Sequence, residues 1–147
     1  MMHHDTYGPY RETYYNFWDA ENTSGSNNRA VATVKTVYDP CPPDFCVPTS
    51  NCFYYMGKEK TYMISKSGLY GRWWTKDGVD IFFPYTGIRS SNNILDYVRT
   101  KGYCWTATPY NTQSGYGFRF ETGLYPSIGV SIQNRYSGLA VRAVTEE

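Results

Sequence analysis

The stretch Leu69-Tyr-Gly-Arg-Trp-Trp-Thr-Lys-Asp-Gly-Val-Asp-Ile-Phe-Phe83 decides the fold class. Two short apolar and aromatic runs, Leu69 to Thr75 and Val79 to Phe83, flank Asp77-Gly78. That dipeptide suits a two-residue hairpin turn, whose central positions need positive φ. Similar punctuation recurs on either side. Tyr62 to Ile64 reads as a strand before Gly68. Downstream, Tyr103 to Thr106, Gly115 to Glu121, Gly129 to Gln133 and Leu139 to Val144 read as strands joined by Gly, Pro, Ser and Asn turns. Asn92 to Val98 reads as a loop or a single helical turn. Upstream, residues 22–29 form a polar loop, and Tyr10 to Ala20 reads as a strand or an irregular aromatic segment. Ala30 to Tyr38 alternates like a strand, and Asp39-Pro40-Cys41-Pro42-Pro43 forces an extended turn. The best helix candidate runs from a Thr49 or Ser50 cap through Asn51 to Met56, with Gly57 ending it. The expected class is α+β and β-dominated, with twisted antiparallel sheets and one or two short helices. Without repeats or a linker, residues 1–147 read as one domain.

Composition narrows the function. A chain of 147 residues suits one core, and 41% hydrophobic residues exclude a disordered chain. A net charge of +1 with no extended basic run argues against nucleic acid as a partner. No apolar stretch is long enough to span a membrane as a helix. The opening Met1-Met2-His3-His4 lacks the apolar run of a signal peptide, so the chain is expected to be the C-terminal part of a longer surface protein. Aromatics reach 18%, with 16 Tyr, which exceeds what the core needs. Strand preference accounts for more than half of them, and the surplus suits a contact surface.

No reactive constellation emerges. The histidines, His3 and His4, stand at a terminus, so a Ser-His-Asp or Cys-His device is implausible. Asp77, Asp80, Asp96 and Glu121 would be acid pairs for glycoside cleavage by elimination only, and turn or solvated roles account for them better. Cys41, Cys46, Cys52 and Cys104 lack the paired spacing of a zinc site. Free buried thiols, or one disulfide tying Cys104 to the N-terminal cluster, are both open. No catalytic residue, metal or cofactor is expected.

Three blocks carry a resemblance. The first is Val34-Lys-Thr-Val-Tyr-Asp-Pro-Cys-Pro-Pro-Asp-Phe-Cys-Val-Pro-Thr49. The second joins Asp80-Ile-Phe-Phe-Pro-Tyr-Thr-Gly-Ile-Arg89 to Gly102-Tyr-Cys-Trp-Thr-Ala-Thr-Pro109. The third is Asn134-Arg-Tyr136 with Gly138-Leu-Ala-Val-Arg-Ala-Val144. In order and spacing, from about Trp18 to Val144, they resemble the Fibrobacter-type major paralogous domain of Bacteroidetes surface lipoproteins and fimbrial-tip proteins. The resemblance implies a C-type-lectin-like fold related to the formylglycine-generating enzymes, with a loop-rich ligand face. The redox cysteine pair of those enzymes has no counterpart, since Cys104 stands by itself in the C-terminal half. The calcium-binding triplets of sugar-binding lectins are missing too. Asp44 replaces a usual glycine, Cys104 a usual aromatic, and Ala143 a frequent cysteine that could pair with the one matching Cys41. The usual disulfide therefore cannot form.

The expected function is non-catalytic ligand binding at the bacterial cell surface, as an adhesin or fimbrial-tip domain. The alternatives are a variable protein diversified by a retroelement and a structural pilus subunit. The partner would be a host or bacterial surface protein or glycan, or neighbouring pilus subunits. Tyr, Asn and Ser mixtures supply rigid anchors and adaptable hydrogen bonds. On that ground Tyr110, Asn111, Tyr116, Tyr125, Ser127 and Asn134 are the expected ligand-binding residues. Tyr116 carries a second reading, because alternation puts it on one side of its strand with Phe118 and Phe120, facing inward. Trp105 is expected in the core. One of Arg135 and Arg142 is expected to pair with a carboxylate or cap backbone carbonyls in the loop region, a role preferred to ligand contact by both.

Overall fold

A computed structural model describes residues 16–22, 32–54, 56, 61–63, 69–123 and 126–146. The Asp77-Gly78 turn forms as its chemistry requires, with φ of 51° and 78°. It joins β3 (Gly71–Lys76) to β4 (Val79–Pro84) in antiparallel register from Lys76↔Val79 to Gly71↔Pro84. β2 (Thr61–Met63) pairs along the other edge of β3. Alternation then separates two faces. Arg72, Trp74, Ile81 and Phe83 share one of them, while Trp73 packs on its cross-strand partner Phe82 with ring centroids 4.9 Å apart.

The second three-stranded sheet is built from β7 (Lys101–Pro109), β8 (Ser114–Glu121) and β9 (Gly129–Asn134), all antiparallel. Cys104, Phe118 and Phe120 lie on its inner face and meet the Trp74–Phe83 face of the first sheet. Phe118 is fully buried. Phe53 stacks on it at 4.7 Å and 7°, and Trp74 meets Phe120 edge-on at 5.4 Å and 89°. The Trp74 indole N–H donates to the Met56 carbonyl at 2.7 Å, which satisfies the one polar atom of that ring.

Two two-stranded sheets complete the fold. β5 (Ile88–Arg89) pairs with β6 (Leu95–Asp96), so the segment 92–98 contains a strand rather than a helical turn. β1 (Phe45–Cys46) pairs with β10 (Val144–Thr145). Lys35 braces that pair. Its ammonium donates to the carbonyls of Cys41, Pro42 and Phe45 at 2.9, 2.6 and 2.6 Å and reaches Glu146 at 3.5 Å. The strand expected over 30–38 reduces to a bridge between Asp19 and Lys35, with residues 30 and 31 outside the described residues. The one expected over 139–144 is used as a bridge at Ala140 and as β10.

The expected α+β class with a C-type-lectin-like fold is corrected here. Among the described residues there is no α-helix, and the strands form four separate small antiparallel sheets. The helix expected through Met56 is one 3-10 turn, Ser50–Phe53. Thr49 makes no side-chain cap. The Ser50 N–H instead donates to Thr108 Oγ1 at 2.9 Å, and the carbonyls of Thr49, Asn51 and Phe53 accept from three residues on. Asn, Cys, Phe and Tyr add little helix propensity, and Phe53 is fixed by its place in the core.

All four cysteines are unpaired. Burial pushes the Cys104 thiol up to about 12, and burial together with the Asp39 carboxylate does the same for Cys41. In native protein at mildly alkaline pH, a thiol reagent should therefore modify the exposed Cys52 first and reach Cys46 and Cys104 only after denaturation. Rapid native labelling of Cys104 would contradict this packing. Phe118→Ala should cost about 3–5 kcal/mol in urea unfolding, since the ring touches aromatic partners on every side.

Candidate functional site

The outer face of the β7–β8–β9 sheet carries a cleft. On β8 the outward positions are Gly117, opposite Trp105, and Gly115, opposite Pro109, so no side chain rises from the strand there. Trp105 folds down over this bare patch, its ring 3.5 Å from where a Gly115 Cβ would stand. Between Trp105 and Pro109 the register of β7 slips, because β8 advances only from Gly117 to Gly115 over that span. The bulged residues find other partners, as extra strand residues must. The Ala107 N–H donates to Pro48 O at 2.8 Å, and its carbonyl accepts from the Asn16 amide at 2.6 Å. Thr106 Oγ1 donates to Tyr116 O at 2.8 Å.

These bonds bring distant segments to the sheet. Asn16, 3% exposed, also donates to Asn22 O at 2.7 Å and accepts from the Trp18 N–H, which sets Trp18 beside the cleft. Asp39 fixes the proline turn by accepting from Cys41 N at 2.8 Å and Val47 N at 2.9 Å, and so presents Pro40. The opposite wall is Arg135, Ser137, Leu139 and Val141. Arg135 Nε donates to Asn111 O at 2.9 Å, and the chain near Ala140 bridges to Cys104. The cleft so enclosed measures about 280 Å³. Among the described residues its lining offers two indoles, two prolines, Leu139 and Val141 with a few polar groups, and no His, Cys, Lys or carboxylate.

The expected site residues fall into separate groups. Tyr110, Asn111, Tyr116 and Asn134 converge at the β7–β8 turn and the end of β9, where Ser114 pairs with Asn134. Tyr110 is 45% exposed and stands edge-on to Tyr116, 5.5 Å away. Tyr116 is 7% exposed and follows the inward alternation of Phe118. Asn111 has a structural task, since its side-chain oxygen accepts from the N–H groups of Gln113 and Ser114. Ser127 is exposed at the other end of β8, roughly 24 Å away for a strand of this length. Tyr125 lies outside the described residues.

Sequence reasoning placed Trp105 in the core, whereas it is only partly buried and lines the cleft with Trp18. The signal lay in strand parity. Trp105 alternates against Cys104, so it shares a side with Gly115 and Gly117 rather than with Phe118. One of Arg135 and Arg142 is expected to hold a carboxylate or backbone carbonyl, and both donate to carbonyls, Arg142 to Phe82 O at 3.3 Å.

No known family, curated protein or solved structure matches this chain. Among the described residues, no group of His, Cys, Asp and Glu could hold a metal ion, and no helix is long and apolar enough to cross a membrane.

Near Ser127, Glu121 accepts from Arg119 Nη2 at 2.6 Å and from the Ser127 N–H at 3.0 Å, with Lys101 Nζ at 3.5 Å. The Arg119 hydrogen bond holds its carboxyl below the usual carboxylate range. The stability this gives is present above the unfolded value of about 4.3 and is lost as pH falls through the lowered folded value. Buried Asp19 is shifted upward by desolvation and works in the opposite sense. Thermal melts on acidification should therefore compare native protein with Glu121→Gln. The variant should lose less stability between neutral and acidic pH, and parallel curves would show that Glu121 contributes nothing.

Proposed function

We propose that this chain is a non-catalytic ligand-binding domain of a bacterial surface protein, an adhesin or fimbrial-tip module acting outside the cell. The observation that carries the reading is the cleft floored by Trp105 and walled by Trp18 and Arg135. Two large aromatic faces in a concavity supply burial and shape, and a few polar groups fix orientation, which is the usual composition of a binding site. Among the described residues the lining is made of aromatic, apolar and small polar side chains, a composition that suits binding. The extracellular setting rests on the resemblance to Bacteroidetes surface and fimbrial-tip domains through the Val34–Thr49, Gly102–Pro109 and Gly138–Val144 blocks.

Gly115→Val tests the site with little cost to the fold. A Cβ at Gly115 meets its nearest neighbours at 3.5 and 3.8 Å, which is ordinary contact, and Gly115 is part of the cleft lining, so added bulk there takes up its space. In a glycan and protein array, native protein should bind a ligand that Gly115→Val loses, while the two proteins melt within about 1 kcal/mol of each other. Tyr110→Ala probes the other side of the sheet. Binding that survives Gly115→Val but is lost in Tyr110→Ala would move the site to the Tyr110–Tyr116 pair.

A further inference from the structure

A strand at the margin of a sheet turns the N–H and C=O of every second residue away from its neighbour, open to another chain. β9 is such a strand, the last in the order β7–β8–β9. The Arg135 N–H donates to Gln113 O at 2.9 Å, and that pair continues the Ser114↔Asn134 register. The backbone groups of Gly129, Ser131 and Gln133 therefore face β8, and those of Val130, Ile132 and Asn134 face outward. The Asn134 carbonyl accepts from Ser137 N at 3.0 Å, whereas the N–H and C=O groups of Val130 and Ile132 bond to none of the described residues. The other long edges are closed or blunted. Along β7, Lys101 O accepts from Gly87 N at 2.8 Å, Tyr103 O accepts from Ala140 N at 3.2 Å, and Trp105 N donates to Ala140 O at 2.9 Å. Along β4, the Tyr85 N–H donates to Tyr70 O at 2.9 Å, so the outward positions are Asp80, Phe82 and Pro84. They present a charge, a carbonyl taken by the Arg142 guanidinium and a residue without an N–H, all of which discourage pairing. From Gly129 to Asn134, β9 has neither charge nor proline.

We propose that β9 pairs antiparallel with β9 of a second copy of this chain, about a two-fold axis through Ser131, so that two β7–β8–β9 sheets become one continuous sheet. This interface goes beyond the ligand-binding reading and stands apart from it, since neither Val130 nor Ile132 lines the cleft. In this register Val130 stands opposite the partner's Ile132, and Ile132 opposite the partner's Val130. Every free N–H of one copy then meets a free C=O of the other, as a self-complementary two-fold contact requires. Moving the axis to Ile132 would set Val130 against the partner's Asn134, whose carbonyl is already taken. The side chains match as well. Val130 and Ile132 lie on the inner side, opposite Phe118 and Tyr116, while Ser131 and Gln133 lie on the outer side. A strand seated here needs the same alternation, and an antiparallel copy of β9 has it. Ile132, 48% exposed, gains an apolar neighbour in the partner's Val130. Because β9 is uncharged, its copy brings no like charges into the ladder. A six-residue edge is narrow beside the roughly 1,200 Å² buried by stable complexes, so the dimer forms weakly and reversibly.

Analytical ultracentrifugation of the whole chain, from micromolar to millimolar concentration, should show a reversible monomer–dimer equilibrium. Ile132→Pro removes an outward N–H without touching a bond to β8, and should leave the chain monomeric. Ile132→Lys alters an exposed side chain, so the melting temperature should hardly move while association weakens about tenfold or more. Ile132→Thr keeps the strand uncharged and should still dimerise. A cross-link reads the register. Ser131 faces the partner's Ser131 at a non-hydrogen-bonded position, where Cα atoms lie about 4.5 Å apart, within reach of a disulfide. With the exposed thiol removed by Cys52→Ser, Ser131→Cys should give a covalent dimer on mild oxidation, and Gln133→Cys should not. A native chain that stays monomeric over the whole range overturns the proposal, and if that monomer takes up a foreign peptide of alternating apolar and polar residues, the edge serves another partner. A dimer that survives Ile132→Lys, or that Ser131→Cys fails to cross-link, overturns it equally, the first by placing the interface elsewhere and the second by changing the register.

Discussion

The stacking of Phe53 on Phe118 is the contact on which the rest of the fold depends. Among the described residues no long helix lies across a sheet, so the two three-stranded sheets cover each other's apolar faces. Aromatic rings bridge the gap because few of them fill a large volume. Trp74 and Phe83 come down from one sheet, Phe118 and Phe120 rise from the other, and Phe53 closes the side from a single 3-10 turn. Edge-on and stacked geometries dominate the cluster, as ring quadrupoles favour. Most of the tightly buried hydrophobic volume is therefore concentrated in one place. The smaller sheets and the proline turn hang on it through hydrogen bonds rather than through cores of their own.

One sheet serves two purposes through strict alternation. Along β8 the inward aromatics Tyr116, Phe118 and Phe120 alternate with outward residues, and two of the outward positions, Gly115 and Gly117, are glycine. The inner face is crowded and the outer face is bare at the same strand. Trp105 lies on the outer face over that bareness, and the bulge after it presents the Ala107 carbonyl to Asn16. Rigidity at the core and room at the cleft thus share one strand.

What could be read from the sequence was local. Asp77-Gly78 announced its hairpin, and the alternation of Tyr116, Phe118 and Phe120 announced an inward face, because both are decided by neighbours in the chain. The helix expected at residues 49–56 failed because its outcome depends on Thr108, far away in sequence, which takes the Ser50 N–H. The cleft was hidden for the same reason. Asn16 meets Ala107 across 91 positions, and no pattern in either segment signals the encounter. Asn111 looked like a contact residue because asparagine suits both paratopes and turns, and here the turn claims it.

The clasp of β1 and β10 has a mechanical meaning. It consists of a two-residue ladder, one further backbone bond from Glu146 to Asp44, and the Lys35–Glu146 ion pair. Tension entering the fold through β10 meets these few bonds before it reaches any aromatic contact. The ladder is far shorter than those of β7, β8 and β9, so a pull applied at β10 would open it ahead of the larger sheets.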